Sequence, residues 1–290
     1  MWYQYDMAGR RIQVDIPFAL TVSRESAAFL RGPAEHREEA PGLWTAVFRP
    51  VEDLAPLPPE GVWQGDTFFS GGETFHCLLR GQAPYARVTR APEKRRVQCD
   101  YRRGMEGELC CSRNLCDLLE LETLLLDWGG LLLHASFIRT KGGRGILFSA
   151  PSGTGKSTQA DLWQRLEGAD ILNGDRAGLT REAEGWRAWG LPYAGSSGVY
   201  RNEGAPLAAI VLLRQAPENR VRRAAAPEAF AGLFPEFTIH RWDARFTERA
   251  IDGILALLGE VPVFILECRP DGGAVAALKT ALEREGEKTL

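Results

Sequence analysis

The residues best equipped for chemistry stand between Gly145 and Asp175. Ala150-Pro151-Ser152-Gly153-Thr154-Gly155-Lys156-Ser157-Thr158 follows the apolar run Ile146-Leu147-Phe148-Ser149 and opens a helix expected from about Ser157 to Leu166. Strand, glycine-bearing loop and helix in that order make a P-loop. Gly153 and Gly155 let successive backbone N–H groups point into one concavity, to which the helix adds its unpaired amides and the positive end of its dipole. Phosphates fit such a cup, so Ser152, Gly153, Thr154, Gly155, Lys156, Ser157 and Thr158 are the candidate nucleotide-binding set. Lys156 can reach the β- and γ-phosphates as a point charge, and the Ser157 hydroxyl is placed for the magnesium that bridges them. Ala150 stands where the usual G-x-x-x-x-G-K-[ST] pattern has its first glycine, and it still leaves room for the turn.

Two further groups flank the loop. Leu131 to Ile138 reads as a strand carrying His134, and the glycine-rich turn from Lys141 to Gly145 suggests a hairpin with the P-loop strand. His134 is thereby expected near the nucleotide. Downstream, Asp170-Ile171-Leu172-Asn173-Gly174-Asp175 reads as a short strand ending in an acid. Ligands of α/β sheets gather at the carboxyl ends of strands, so Asp175 is a candidate magnesium-side carboxylate or catalytic base. The lesser alternative is an Asp that caps the turn into Arg176-Ala177-Gly178. In the stretch from Gly190 to Gly198, the residues Gly195, Ser196 and Ser197 suit a substrate-facing loop or an ordinary turn. The run Arg220-Val221-Arg222-Arg223 could touch phosphates or form a solvated face, and His76, a lone strand histidine, is read as packed or exposed rather than as a ligand.

These groups need a scaffold. From Tyr3 to Arg103 short β-like runs separated by Pro and Gly predict a small antiparallel β-rich region, residues 1–113, with strands near 11–16, 44–48, 74–79, 85–88 and 96–101. Residues 52–65, with Pro56, Pro58 and Pro59, read as a surface loop. A helix is expected over Asn114–Trp128, ended by Gly129-Gly130. Beyond the P-loop, a strand pair around Trp186 and Trp189, strands at 207–213 and 261–267, and helices at 227–233, 247–258 and 273–283 predict an α/β domain with a mixed sheet over 114–290.

Composition excludes several classes. A net charge of −3 with interspersed signs gives no basic surface for nucleic acid and no polybasic segment for a membrane. Asp117, Glu120, Glu122 and Asp127 interrupt the most apolar stretch, Leu115 to Ile138, so it reads as core rather than a membrane span. The first residues lack a basic and an apolar signal region, so a cytoplasmic protein is expected. Six cysteines without paired C-x-x-C hooks are expected to be reduced thiols, not a zinc site. At 290 residues the chain can bury a sizeable core by itself; a homo-oligomer is possible but not required.

Taken together, Leu132-Leu133-His134-Ala135-Ser136, Ser149 to Thr158 and Leu172-Asn173-Gly174-Asp175-Arg176 resemble the HPr kinase/phosphorylase family and, more distantly, the ATP-dependent phosphoenolpyruvate carboxykinases. The resemblance covers about Leu131 to the C-terminus. It implies a P-loop kinase domain of that type, with ATP and Mg2+ as cofactors and with His134, Lys156 and Asp175 serving phosphoryl transfer. The implied acceptor is a hydroxyl, most plausibly Ser or Thr of a protein or peptide. Gly174-Asp175 stands where HPr kinases carry Asp-Asp, and no HPr-docking segment follows it. Gly190-Leu191-Pro192-Tyr193 resembles the Gly-x-Pro-aromatic loop of HPr-kinase-like enzymes found with peptide-maturation systems. Two alternatives stand beside this reading: a nucleotide-binding regulatory module with little catalysis, which the missing acid favours, and a small-molecule kinase acting on a metabolite such as free serine.

Overall fold

Period-two burial marks several strands of the first hundred residues, as in β1 (Trp2–Met7), where Tyr3, Tyr5 and Met7 turn inward while Trp2, Gln4 and Asp6 lie nearer solvent. The computed structural model describes residues 1–19, 22, 24–34, 36–38, 40, 42–65, 67–70, 73–91, 95–110, 119–193 and 195–288. It divides the chain into two units, Met1–Leu121 and Glu122–Leu290; the sequence reading set the division at 113. No helix among the described residues is long and apolar enough to cross a membrane.

The first unit is a nine-stranded sheet. After β1 come β2 (Arg10–Asp15), the single helical turn α1 (Arg24–Ala27), β3 (Leu30–Ala34), β4 (Trp44–Val51), β5 (Val62–Gln64), β6 (Thr67–Ser70), β7 (Glu73–Arg80), β8 (Ala83–Ala91) and β9 (Arg96–Arg102). Their order is β3-β1-β2-β4-β9-β8-β7-β6-β5. The expectation of an antiparallel region is corrected here, because β4 runs parallel to both β2 and β9. Long connections between those strands permit it. A second correction concerns residues 52–65: the proline-bearing part is irregular, but Val62–Gln64 forms β5 in a hairpin with β6, turned at Gly65 with φ 62°.

Where the second unit begins, the described residues form α2 (Leu121–Asp127) of the helix expected over 114–128, with Leu119 helical before a break. Residues 114–118 lie outside those described, and Glu120 at φ 46° departs from helical geometry. Gly129, at φ 76°, ends it as anticipated. The strands are β10 (Leu131–Arg139), β11 (Gly145–Ser149), β12 (Asp170–Asn173), β13 (Arg176–Glu182), β14 (Gly185–Gly190), β15 (Gly204–Gln215), β16 (Arg220–Arg223) and β17 (Val263–Cys268). The helices are α3 (Lys156–Glu167), α4 (Ala226–Leu233), α5 (Ala244–Glu260) and α6 (Gly272–Lys288). Around Trp186 and Trp189 there is one strand, β14, not two; it pairs with β13.

Two long strands divide their pairing. β10 gives Leu131–His134 to β13 and Ala135–Arg139 to β11, while residues 137–139 also pair with β12. β15 gives Gly204–Pro206 to β14 and its remainder to β11 and β17, both parallel to it. With β13 and β14 paired, β10, β13, β14, β15 and β11 close a ring.

The sheet residues alternate between two cores. Ile138, Ile146, Phe148, Val211 and Leu213 pack with Leu162 and Trp163 of α3 and Val275 and Leu278 of α6. Phe137, Leu147, Ile210 and Leu212 face the other way and pack with Leu233 of α4 and Phe246, Ile254 and Leu257 of α5. Both faces of the β11-β15-β17 part are covered, which is why those strands read as continuous apolar runs. The arginines of 220–223 lie on the edge strand β16 and pair with Glu218, Glu228 and Glu285. They occupy a charged edge.

Candidate active site

Backbone conformation shapes the loop between β11 and α3, the candidate phosphate cup. Gly153 and Gly155 hold φ 79° and 117°, and a Cβ on either would meet nothing within 4 Å. Glycine is needed there for its dihedral angles, not for space. Gly155 is the N-cap of α3 and no side chain caps the helix, so the start of this 12-residue helix is left to backbone amides. Lys156 is 8% exposed. Its Nζ donates to the carbonyls of Ala150 at 2.6 Å and Pro151 at 3.4 Å, folding the side chain over the loop. Burial pushes the Lys156 ammonium below the usual lysine range, and the charges of Glu236 and Asp175 oppose that shift.

His134 sits where β10 changes partners. It is paired with Arg176 of β13, while the next residue, Ala135, is paired with Ser149 at the end of the P-loop strand. The Ser149 hydroxyl donates to the His134 carbonyl at 2.9 Å. This register brings the histidine to the P-loop end of the sheet. On one side its Nδ1 lies 2.8 Å from Glu236 Oε2; on the other its Nε2 lies 3.9 Å from Asp175 Oδ1. The first distance is a hydrogen bond and the second is not.

Asp175 corrects the sequence reading in one respect: β12 ends at Asn173, and the acid stands in the tight turn into β13. Asn173 builds that turn. Fully buried, it accepts from the amides of Asp175 and Arg176 through Oδ1 at 2.8 and 2.9 Å, and donates through Nδ2 to the Leu191 carbonyl at 2.7 Å. The Asp175 carbonyl accepts from the Ala135 amide at 3.0 Å. With Asn173 making the turn, the Asp175 side chain faces His134 and, at 3.8 Å, Nε of Arg176. The Arg176 guanidinium in turn lies 5.3 Å from the centre of the Tyr193 ring and donates to Thr238 Oγ1 at 3.0 Å.

Of the loop residues singled out from sequence, Gly195 comes to the site. It holds φ 53°, and a Cβ there would lie 2.7 Å from Asp175 Cβ. The Ser197 hydroxyl accepts from the Val199 amide at 3.2 Å, a turn contact, and the Ser196 side chain lies outside those described.

Beside the cup is a cleft of about 580 Å3, lined in part by Thr154, Gly155, Gln159, Gln215, Cys268 and Arg269. β11, β15 and β17 are parallel, so their carboxyl ends share this edge. Its size lies in the range of small-ligand pockets. Gln159 Nε2 donates to Cys268 Sγ at 3.3 Å, and burial raises the Cys268 thiol above its ordinary range.

Reading the sequence alone misses Glu236, Gln215, Cys268 and Arg269. For Gln215, Cys268 and Arg269 a signal existed: they end or follow strands parallel to the P-loop strand. Glu236 offered none, standing in the 3-10 turn Phe234–Glu236, 102 residues from His134. Tertiary pairing delivers it: Phe237 bridges to Leu133, and the Thr238 amide donates to the Leu132 carbonyl at 2.9 Å. Among the described residues no three of His, Cys, Asp and Glu gather as a metal cluster.

No protein-family model matches the chain, and no curated protein matches it. Among solved structures, the Hpr(Ser) kinase/phosphatase from Coxiella burnetii is similar at 14% sequence identity and a TM-score of 0.31, with 55% of this chain and 91% of that chain covered.

Proposed function

We propose that the protein is an ATP- and magnesium-dependent kinase of the HPr-kinase-like P-loop type, transferring the γ-phosphoryl group to a hydroxyl of a protein or peptide Ser or Thr. One observation carries the reading: Lys156 of the P-loop, His134 of β10 and Asp175 of the β12–β13 turn lie at one end of the sheet, with the charge of Asp175 acting on Lys156.

ATP fits the residues present. The positive-φ glycines and the uncapped start of α3 suit its phosphates, and the neighbouring cleft has room for its nucleoside. Magnesium fits as well, because it asks for one or two protein oxygens beside phosphates and water, and Ser157 and Asp175 are oxygen donors of that kind. Bound there, the ion would neutralise charge on the phosphates. Lys156 and the loop amides would grip the phosphates and stabilise charge that develops during transfer. Asp175 would take the proton of the acceptor hydroxyl, or share the metal, and His134 would support that acid. The hydroxyl oxygen then bonds to the γ-phosphorus as the bridging P–O bond breaks onto ADP.

Incubating purified protein with γ-labelled ATP, Mg2+ and a degenerate Ser/Thr peptide library tests the proposal. Label in peptide is expected. Nucleotide binding without label would favour a regulatory module, and label appearing only on free serine or another small hydroxyl compound would favour a metabolite kinase.

A further inference from the structure

Besides Lys156, this end of the sheet holds a second cation, Arg176. It opens β13, where its backbone pairs with His134, and its amide donates to Asn173 Oδ1 at 2.9 Å. The residue is thereby tied to β10 on one side and to the end of β12 on the other. The side chain is held as well. Its guanidinium lies 5.3 Å from the centre of the Tyr193 ring, and Nη1 donates to Thr238 Oγ1 at 3.0 Å. Thr238 is itself anchored to β10, through its amide on the Leu132 carbonyl at 2.9 Å. Segments far apart in sequence thus converge on one guanidinium.

That guanidinium has donors to spare. Arginine carries five N–H groups in a planar fork. Among the described residues Arg176 makes one hydrogen bond, to Thr238, and its Nε stands 3.8 Å from Asp175 Oδ2, an ion pair beyond hydrogen-bond distance. The side chain is 38% exposed, so a ligand can reach it. A positioned fork with open donors is the form in which arginine takes up phosphate oxygens. The charges nearby give it a task. Asp175 and Glu236 both act on Lys156, so one lysine faces two acids. A phosphoryl group brought up to Asp175 would meet like charge there, and a second cation beside that acid offsets the repulsion.

We propose that Arg176 is a further catalytic residue, whose remaining N–H groups grip the phosphoryl group in transfer. This rests on the kinase reading above, and no group changes its protonation to bring it about. As the acceptor oxygen bonds to the γ-phosphorus and the bridging P–O bond breaks onto ADP, charge spreads over the three equatorial oxygens of that phosphoryl group. Arg176 meets this charge from β13, while Lys156 and the loop amides serve the phosphates from the cup. Its contribution therefore depends on a γ-phosphate, and ADP makes no use of it.

The test compares Arg176→Met, Arg176→Lys and Thr238→Val with wild type by calorimetry, using ADP and a non-hydrolysable ATP analogue, each with Mg2+. Arg176→Met should bind the analogue about 10-fold more weakly, the scale of a lost charge-assisted hydrogen bond, with ADP affinity unchanged. The unchanged ADP affinity also shows that the variant has folded. Arg176→Lys keeps the charge without the fork and should lose less. Thr238→Val, which releases the guanidinium from its anchor, should weaken the analogue selectively too. With the degenerate Ser/Thr peptide library as acceptor, kcat of Arg176→Met should fall about 10²-fold. A merely structural Arg176 would weaken both nucleotides alike. Equal losses for ADP and analogue, or no loss for either, would overturn the proposal while leaving the kinase reading standing. If wild type binds both nucleotides but labels no acceptor, and Arg176→Met still discriminates between them, the kinase reading fails and the γ-phosphate contact holds. Binding of neither nucleotide by wild type would overturn both.

Discussion

In the proposed kinase, phosphate binding would turn on Lys156. Its ammonium is buried on the loop that it serves, and its contacts are carbonyls of that same loop, Ala150 and Pro151. Lys156→Ala is expected to reduce transfer about 10³-fold, the scale of losing one preorganised electrostatic group, with the circular dichroism spectrum unchanged. A folded variant with undiminished activity would refute its role. Cys268 offers a second measurement at this scale. It lines the cleft and burial raises its thiol, so alkylation by iodoacetamide should be slow at neutral pH and quicken only on the alkaline side, where thiolate forms. A non-hydrolysable ATP analogue should slow it further. Labelling at Cys268 that is indifferent to the analogue would place the nucleoside elsewhere.

At the level of elements, close approaches fix the site. Gly195→Ala would bring a Cβ to 2.7 Å from Asp175 Cβ at a φ of 53°, so the loop or the acid must move. Because a displacement of that order can cost about 10²-fold, kcat should fall by that scale while KM for ATP stays constant. A fall in KM alone would contradict the placement. Gly190→Ala meets backbone instead: its Cβ would lie 2.0 Å from the Arg201 carbonyl oxygen. Overpacking against a strand should destabilise by about 3 kcal/mol, read from the urea midpoint. The elements nearest the chemistry were the most legible in the sequence. The hairpin of β10 and β11 and the helix α3 fall within a residue or two of expectation, because apolar runs, glycine turns and a phosphate loop are local signals. Asp175 was singled out but placed on a strand, since the capping of its turn by Asn173 depends on Leu191, a partner from another strand's end. Glu236 could not be read at all, because only the bridge from Phe237 to Leu133 makes it a neighbour.

For the whole molecule, both cores of the second unit are drawn from residues between Leu126 and Leu282. A fragment spanning 119–290 is therefore expected to fold cooperatively and to bind the ATP analogue with the affinity of the full chain, as calorimetry would report. A fragment that stays unfolded would show that the first unit is required for stability. The parallel pairing of β2, β4 and β9 escaped the sequence for a different reason: alternation reports which residues face the core, not which strand lies alongside.

The division of β10 between two sets of partners carries a consequence for motion. His134 lies at the seam, and Ala135 supplies the amide that holds the Asp175 carbonyl. Opening the backbone around either group would mean breaking a strand that belongs to a closed ring, so the amides of residues 134–138 should exchange with solvent only through global unfolding. In the proposed kinase, slow breathing would thereby be denied to the groups assigned to the proton. It would fall instead to the exposed loop tip at Pro151–Gly153 and to the exposed turn at Gly195.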